Sequence, residues 1–290
     1  VATLDLRPLS LGELLDRTFF LYRRNFLLFI GISAAPYLIL MFAGLAPVLL
    51  AGLARGSRAP SAAQAIGMAG VGIVALLAFL AFFVALLFSM GATVFAVAEF
   101  YSGRRPTIRG CLRMVRGHAG TVFGVMLLSG LIAGVGFIAL IVPGVYLLCR
   151  LPAATPAALI ENLGPADAIR RSFDLTKDFA GRAFMIILLT LSMTWAVAAL
   201  FQLPFYVLIA VTAKQPQLVL IWTVLAQVGS AIGSVLVAPV STISTALFYY
   251  DLRVRKEAFD LQMMMQAVGA DPAPPPVTGG IPSMFGRDAF

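Results

Sequence analysis

Five stretches of this chain run without a single charged residue for longer than a bilayer crossing requires. They are Asn25 to Ala54, Ala59 to Ala98, Ala119 to Cys149, Ala183 to Ala213 and Gln215 to Tyr250. A helix needs about 20 apolar residues to span the hydrocarbon core, so each stretch is long enough for at least one crossing. Composition agrees: 60% of the residues are hydrophobic and 12% are charged, against roughly 25% charged in an ordinary soluble domain. The charges fall in short blocks between the apolar runs, and the chain is expected to be an all-α integral membrane protein.

A further apolar piece, Leu151 to Ile160, is separated from the third stretch only by Arg150. Whether 119–160 crosses once or twice follows from the basic residues, which form four blocks. These are Arg7, Arg17, Arg23 and Arg24; Arg104, Arg105, Arg109, Arg113 and Arg116; Arg170, Arg171, Lys177 and Arg182; and Arg253, Arg255 and Lys256. The intervening loops hold only Arg55, Arg58 and Lys214. The positive-inside rule puts all four blocks in the cytoplasm, which requires two crossings. Pro143-Gly144 is the expected break, because Pro removes a backbone donor and Gly permits a tight reversal. The result is about six transmembrane helices, near 26–53, 66–98, 119–142, 145–160, 183–211 and 218–248. Both termini are expected to be cytoplasmic, in a bacterial inner membrane. The fourth crossing is short, roughly 24 Å. Val1 to Asn25 mixes acidic and basic residues with no signal-peptide pattern, so the first apolar run is expected to remain in the mature chain.

Three basic segments have the pattern of amphipathic helices lying at the membrane surface, near 10–24, 107–118 and 165–180. The first opens on Ser10-Leu-Gly-Glu13, a capping-box sequence, and aligns Leu11, Leu14, Leu15, Phe19 and Tyr22. The second places Ile108, Cys111, Leu112 and Val115 on one face and Arg109, Arg113 and Arg116 on another, a pattern suited to anionic lipid. The third opens on Gly164-Pro165, with Asp167 near the positive helix end. Arg17-Thr-Phe-Phe-Leu-Tyr-Arg23 matches Arg171-Ser-Phe-Asp-Leu-Thr-Lys177. These segments suggest three repeats, each an interfacial amphipathic helix plus a transmembrane hairpin. Together they form a polytopic membrane domain over 1–261. Residues 262–290, with Asp271-Pro-Ala-Pro-Pro-Pro276 and Gly279-Gly280, have the composition of an extended cytoplasmic tail. Its ending, Met284-Phe285 and Phe290, is a candidate partner-binding element.

Three segments of the chain together resemble one family. They are Pro8-Leu-Ser-Leu-Gly-Glu-Leu-Leu-Asp-Arg-Thr-Phe19 with Leu21-Tyr-Arg-Arg-Asn-Phe26, Val142-Pro-Gly-Val-Tyr146 with Arg150, and Ala246-Leu-Phe-Tyr-Tyr-Asp-Leu-Arg-Val-Arg-Lys-Glu257 with Phe259-Asp-Leu261. From Leu6 to Leu261 the chain resembles the glycerophosphoryl diester phosphodiesterase membrane-domain family. The resemblance implies a membrane part standing alone, without the catalytic barrel of larger phosphodiesterases. Such barrels use His and acidic residues around a metal, whereas this chain has one histidine, His118, and no His/Asp/Glu cluster. No phosphodiesterase activity, cofactor or metal is therefore expected.

Arg150 is the most pointed polar residue, since a charge within a membrane segment is costly and faces the bundle interior or a wet cavity. It is a candidate anion or lipid-headgroup contact. The alternative is a structural arginine that snorkels or pairs with Glu99, Glu161 or free carbonyls near Pro143. Glu161 lies too far along the same helix, about 16 Å, for a pair within it. Arg109, Arg113, Arg116, Arg170 and Arg171 are further candidate lipid contacts, and Glu99 and Glu161 candidate polar partners. Gly120/Gly124, Gly130/Gly134 and Gly229/Gly233 have the spacing that lets membrane helices approach closely, within the bundle or in a homo-oligomer. Cys111 and Cys149 have no metal-type spacing and are expected to be reduced and structural. The net charge of +8 is distributed in membrane-flanking blocks, which argues for anionic lipid rather than nucleic acid. Two functional classes remain open: a non-enzymatic scaffold or accessory subunit contacting lipid and partner proteins, and a transporter or lipid-translocating protein with a cavity around Arg150.

Overall fold

The computed structural model describes residues 9–54 and 61–257, so the expected tail at 262–290 lies outside the described residues. Among the described residues every regular element is a helix: α1 (Leu11–Arg24), α2 (Phe26–Ala54), α3 (Ser61–Tyr101), α4 (Ile108–Ala139), α5 (Ile141–Arg150), α6 (Ala154–Ile160), α7 (Pro165–Thr176), α8 (Ala180–Val211) and α9 (Pro216–Glu257). Six segments are long and apolar enough to cross a membrane: α2, α3, α4, the α5–α6 pair, α8 and α9. Large apolar side chains stand outward along them, including Leu27, Ile138, Trp195 and Leu200. In water this surface would be strongly unfavourable, and in a bilayer it is ordinary. The chain is an all-α, multi-pass membrane protein.

Helix α1 starts where the sequence places it. The Ser10 hydroxyl accepts from the Glu13 amide, and the Glu13 carboxylate accepts from the Ser10 amide, so the capping box is complete. Its buried face is shifted from the expected one, with Leu11 and Tyr22 still packed against the core. Leu14, Thr18 and Leu21 are buried, whereas Phe19 is exposed. The inward stripe is set by packing on α9, where Ser244 donates to Thr18 and Tyr22 donates to the Leu236 carbonyl. Helix α7 has Pro165 at its first position and Asp167 in its first turn, as expected. The matched segments also share their burial: Leu14 and Ala168, Thr18 and Ser172, and Leu21 and Leu175 are all buried. These pairs put the same face of α1 and α7 against the bundle.

The middle unit departs from this plan. No separate interfacial helix exists at 107–118, because α4 runs unbroken from Ile108 to Ala139 after a Thr107 cap. Cys111, Val115, Val122 and Val125 form one continuous buried stripe, and nothing in the Gly117-His118-Ala119-Gly120 sequence forces a helix to stop. The reversal after α4 also differs in position. It falls at Leu140, whose backbone is extended, rather than at Pro143-Gly144. Pro143 then occupies the first turn of α5, where a missing N–H costs nothing. Gly144 serves the crossing of the two arms: a Cβ there would lie 2.9 Å from the Phe137 amide nitrogen, and one at Gly136 would lie 2.9 Å from the Gly144 Cα. The returning arm is itself interrupted at Leu151-Pro-Ala153, where Pro152 cannot donate to the preceding turn. A Schellman-type cap ends α6, with Asn162 at φ 58° and the Leu163 amide bonded to the Ala158 carbonyl.

Helix α9 has 42 residues, a length of about 63 Å and roughly twice the hydrocarbon thickness. Its C-terminal third is the centre of the packed core, with Ile243, Leu247, Phe248, Tyr249 and Leu252 fully buried. Tyr101 stacks on Tyr250 with ring centroids 4.3 Å apart, Phe29 meets Phe100, and Tyr249 reaches Glu161. One end of the bundle therefore gathers α1, the end of α3, the start of α4, the α6–α7 turn and the end of α9. Most of the basic residues lie at this end, and the turns at Leu140 and Thr212–Gln215 lie at the other.

Candidate functional site

The basic end contains two ionic clusters on the last turns of α9. In the first, the Asp251 side chain is inaccessible to solvent and meets Arg255 at 3.0 Å and Arg182 at 3.1 Å. It also accepts from the Leu9 amide at 2.8 Å, while the Leu9 carbonyl accepts from Arg182 at 2.7 Å and Arg255 at 2.6 Å. Leu9 is thereby tied through both of its backbone polar groups. Two cations around one buried carboxylate, with hydrogen bonds to a backbone unit, meet the condition under which buried charge is tolerated.

In the second cluster, Glu161 accepts from Arg171 Nε at 3.0 Å and from the Tyr249 hydroxyl at 2.6 Å. Arg253 bonds Glu257 at 3.0 Å, and Arg171 also pairs with Glu257. Burial alone would lower the pKa of Arg171, but Glu257 and Glu161 outweigh it and raise it. Lys256 adds contacts to the Asp174 carbonyl at 2.6 Å and to Asp178 at 3.3 Å. The cluster locks the end of α9 to the α6–α7 turn and to α7.

Arg150 is 8% exposed and has no carboxylate within salt-bridge range among the described residues. It donates to the Tyr146 hydroxyl at 2.9 Å and to the Phe173 carbonyl at 2.5 Å, and its guanidinium faces both rings at 5.7 and 5.1 Å. Its Nε has no acceptor among the described residues. Its own carbonyl, left without a helical donor where α5 ends, accepts from Ser172 at 2.7 Å and from Thr176 at 3.3 Å. Arg150 thus joins α5 to α7 from both its side chain and its backbone. Neither Glu99 nor Glu161 is its partner. Glu99 pairs with exposed Arg104 at 3.4 Å, and Glu161 belongs to the second cluster. We expect Arg150→Lys, which can reach only one of the two acceptors, to lower stability by about 1.5–3 kcal/mol, the worth of one charged hydrogen bond. Thermal unfolding in mild detergent reads this, and an unchanged midpoint would remove Arg150 from the joint.

The remaining sequence candidates separate by exposure. Arg109, Arg113, Arg116 and Arg170 are exposed, whereas Arg171 is held by two carboxylates. His118 contacts the Met114 carbonyl and the Asn162 side chain, both at 3.0 Å, and joins α4 to the α6–α7 turn. Cys111 and Cys149 are free and buried. Gly229 and Gly233 pack on Phe201 of α8, and Gly124 packs on Pro165, while Gly120, Gly130 and Gly134 face open space. Asp251 and Arg182 were not singled out by the sequence, although Arg255 four residues after Asp251 is a helical pairing signal.

Between the spans lies a cavity of about 380 Å³, lined among others by Ser129 and Gly130 of α4, Thr155 of α6, and Thr242 and Thr245 of α9. Leu148 and Leu151 reach it, but Arg150 is not among its lining residues. Among the described residues no group of three or more His, Cys, Asp or Glu side chains is placed to hold a metal ion. Comparison of the chain with protein families, with curated proteins and with solved structures finds no match.

Proposed function

We propose that the chain is a non-enzymatic membrane scaffold or accessory subunit, seated in a bacterial inner membrane with its basic end and both termini in the cytoplasm. The observation carrying this reading is the division of labour among the charges at that end. Asp251, Glu161 and Glu257 are taken up by internal arginines and tie helices together. Arg109, Arg113, Arg116 and Arg170 are left facing outward. Inward charges of this kind are structural, and an outward cationic surface flanking membrane helices suits anionic headgroups and acidic partner proteins. A transporter built around Arg150 is less well supported, because that side chain is engaged with Tyr146 and Phe173 and the interior cavity lies beside it. The resemblance to the glycerophosphoryl diester phosphodiesterase membrane domains belongs to the same proposal, as a membrane part working apart from a catalytic barrel.

The full chain in nanodiscs of mixed phosphatidylglycerol and phosphatidylcholine tests this. The wild type is expected to enrich phosphatidylglycerol at low salt, and a variant with Arg109, Arg113 and Arg116 all replaced by Gln is expected to lose that preference. In intact cells, Ser102→Cys should resist an impermeant thiol reagent and Lys214→Cys should react, the native cysteines being buried. No headgroup preference, or the reverse labelling pattern, would overturn the corresponding part of the proposal.

A further inference from the structure

Serine and threonine hydroxyls in this bundle commonly donate to the carbonyl four residues earlier. Thr190, Thr194, Thr212, Thr223 and Ser244 all do so at 2.7–2.8 Å. This satisfies a polar group where no water is at hand. Ser129, Thr155 and Thr242 make no such bond among the described residues, and all three line the central cavity. They come from three different helices, α4, α6 and α9, that the fold brings around one space. The rest of the lining is mainly apolar, including Val94, Met126, Leu148 and Ile187.

The cavity exists because α4 makes no substantial packing with α8 or α9, although all three pass beside the α5–α6 arm. Its rim is open sideways: Gly130 and Leu148 are exposed, and a Cβ built on Gly130 meets nothing within 4 Å. Its depth follows from helix rise. Met90 and Val94 precede Tyr101, at the basic end of α3, by about 16 and 10 Å along the axis. The space therefore lies at the level of the chains and ester groups of the leaflet on the basic side, open to that leaflet.

We infer that this cavity is a binding site for one phospholipid, with an acyl chain filling the apolar space and its ester carbonyls accepting from Ser129, Thr155 and Thr242. An ester offers the acceptors that these three donors lack, and an acyl chain offers the apolar volume. The exposed arginines at the same end lie on the headgroup side of that leaflet. The inference rests on membrane embedding, and not on the scaffold reading or on a preference for anionic headgroups.

The test is native mass spectrometry of the full chain, released from nanodiscs of phosphatidylglycerol and phosphatidylcholine after extended detergent washing. The wild type should retain one phospholipid. Gly130→Leu, which fills the open rim, should reduce retention about tenfold, the equivalent of displacing roughly two buried methylenes, with an unlowered melting temperature. If Gly130→Leu fails to fold, the near-isosteric Thr155→Val and Thr242→Val together should still reduce retention. No retained lipid, retention unchanged in a folded variant, or a retained mass equal to a free fatty acid would overturn the inference. Retention without headgroup preference would sink only the anionic-surface reading proposed above.

Discussion

Replacing Asp251 by alanine is expected to destabilise the protein by about 3–5 kcal/mol, the usual cost of removing one partner from a buried ion pair. The loss has three parts. Arg182 and Arg255 are left as facing cations with no carboxylate between them, the Leu9 amide loses its acceptor, and the link from the last helix to the start of α1 weakens. Asp251→Asn separates charge from geometry, since its amide oxygen can still accept from Leu9 while the counter-charge is gone, and it should fall between alanine and wild type. Circular dichroism on heating in mild detergent gives both values. An alanine variant that melts with the wild type would show that the cluster contributes nothing to holding the basic end together.

The second large effect concerns identical small-residue spacings with different surroundings. A Cβ at Gly229 would sit 2.7 Å from the Phe201 carbonyl oxygen, a backbone atom that cannot rotate away. Gly229→Val is therefore expected to force α8 and α9 apart and to cost about 1–3 kcal/mol, as overpacking does. A Cβ at Gly120, an exposed position, meets nothing within 4 Å, and Gly120→Val should stay within about 0.5 kcal/mol of wild type, as exposed substitutions do. Equal effects at the two sites would mean that the contact between α8 and α9 is not what Gly229 serves.

These contrasts mark where the sequence was readable. Local signals were legible because their cause is local: the Ser10/Glu13 box, Pro165 at the head of α7, and the long charge-free spans all reappear as helices. The expected break near residue 118 does not occur, because a change from interface to hydrocarbon changes the environment of a helix without interrupting its hydrogen bonds. The stripe Cys111, Val115, Val122, Val125 stays in phase throughout. The ionic clusters were the least legible part. Asp251 and Arg182 face each other across the α8–α9 hairpin, whose register the sequence does not show, and the Leu9 link spans almost the whole described chain. For Arg150 the expected distance to Glu161 assumed one continuous helix, which is broken at Leu151-Pro-Ala153, and Glu161 is held instead by Arg171 and Tyr249. The available clue was Tyr146, one helical turn earlier, whose hydroxyl accepts from the guanidinium; the other acceptor, the Phe173 carbonyl, is supplied by α7 and carries no sequence signal.

The link between Leu9 and Asp251 closes the described chain into a ring, the bonded residues being 242 positions apart in sequence. Contacts of such sequence separation form late, because the chain between must first be arranged. A ribosome delivers α1 long before α9, so α1 emerges with Leu14, Thr18 and Leu21 facing a place that is still empty. Closure therefore waits until α9 has emerged. A chain arrested anywhere before residue 251 would present an undocked α1 to the cell, a physical mark that separates it from a chain whose α9 is in place.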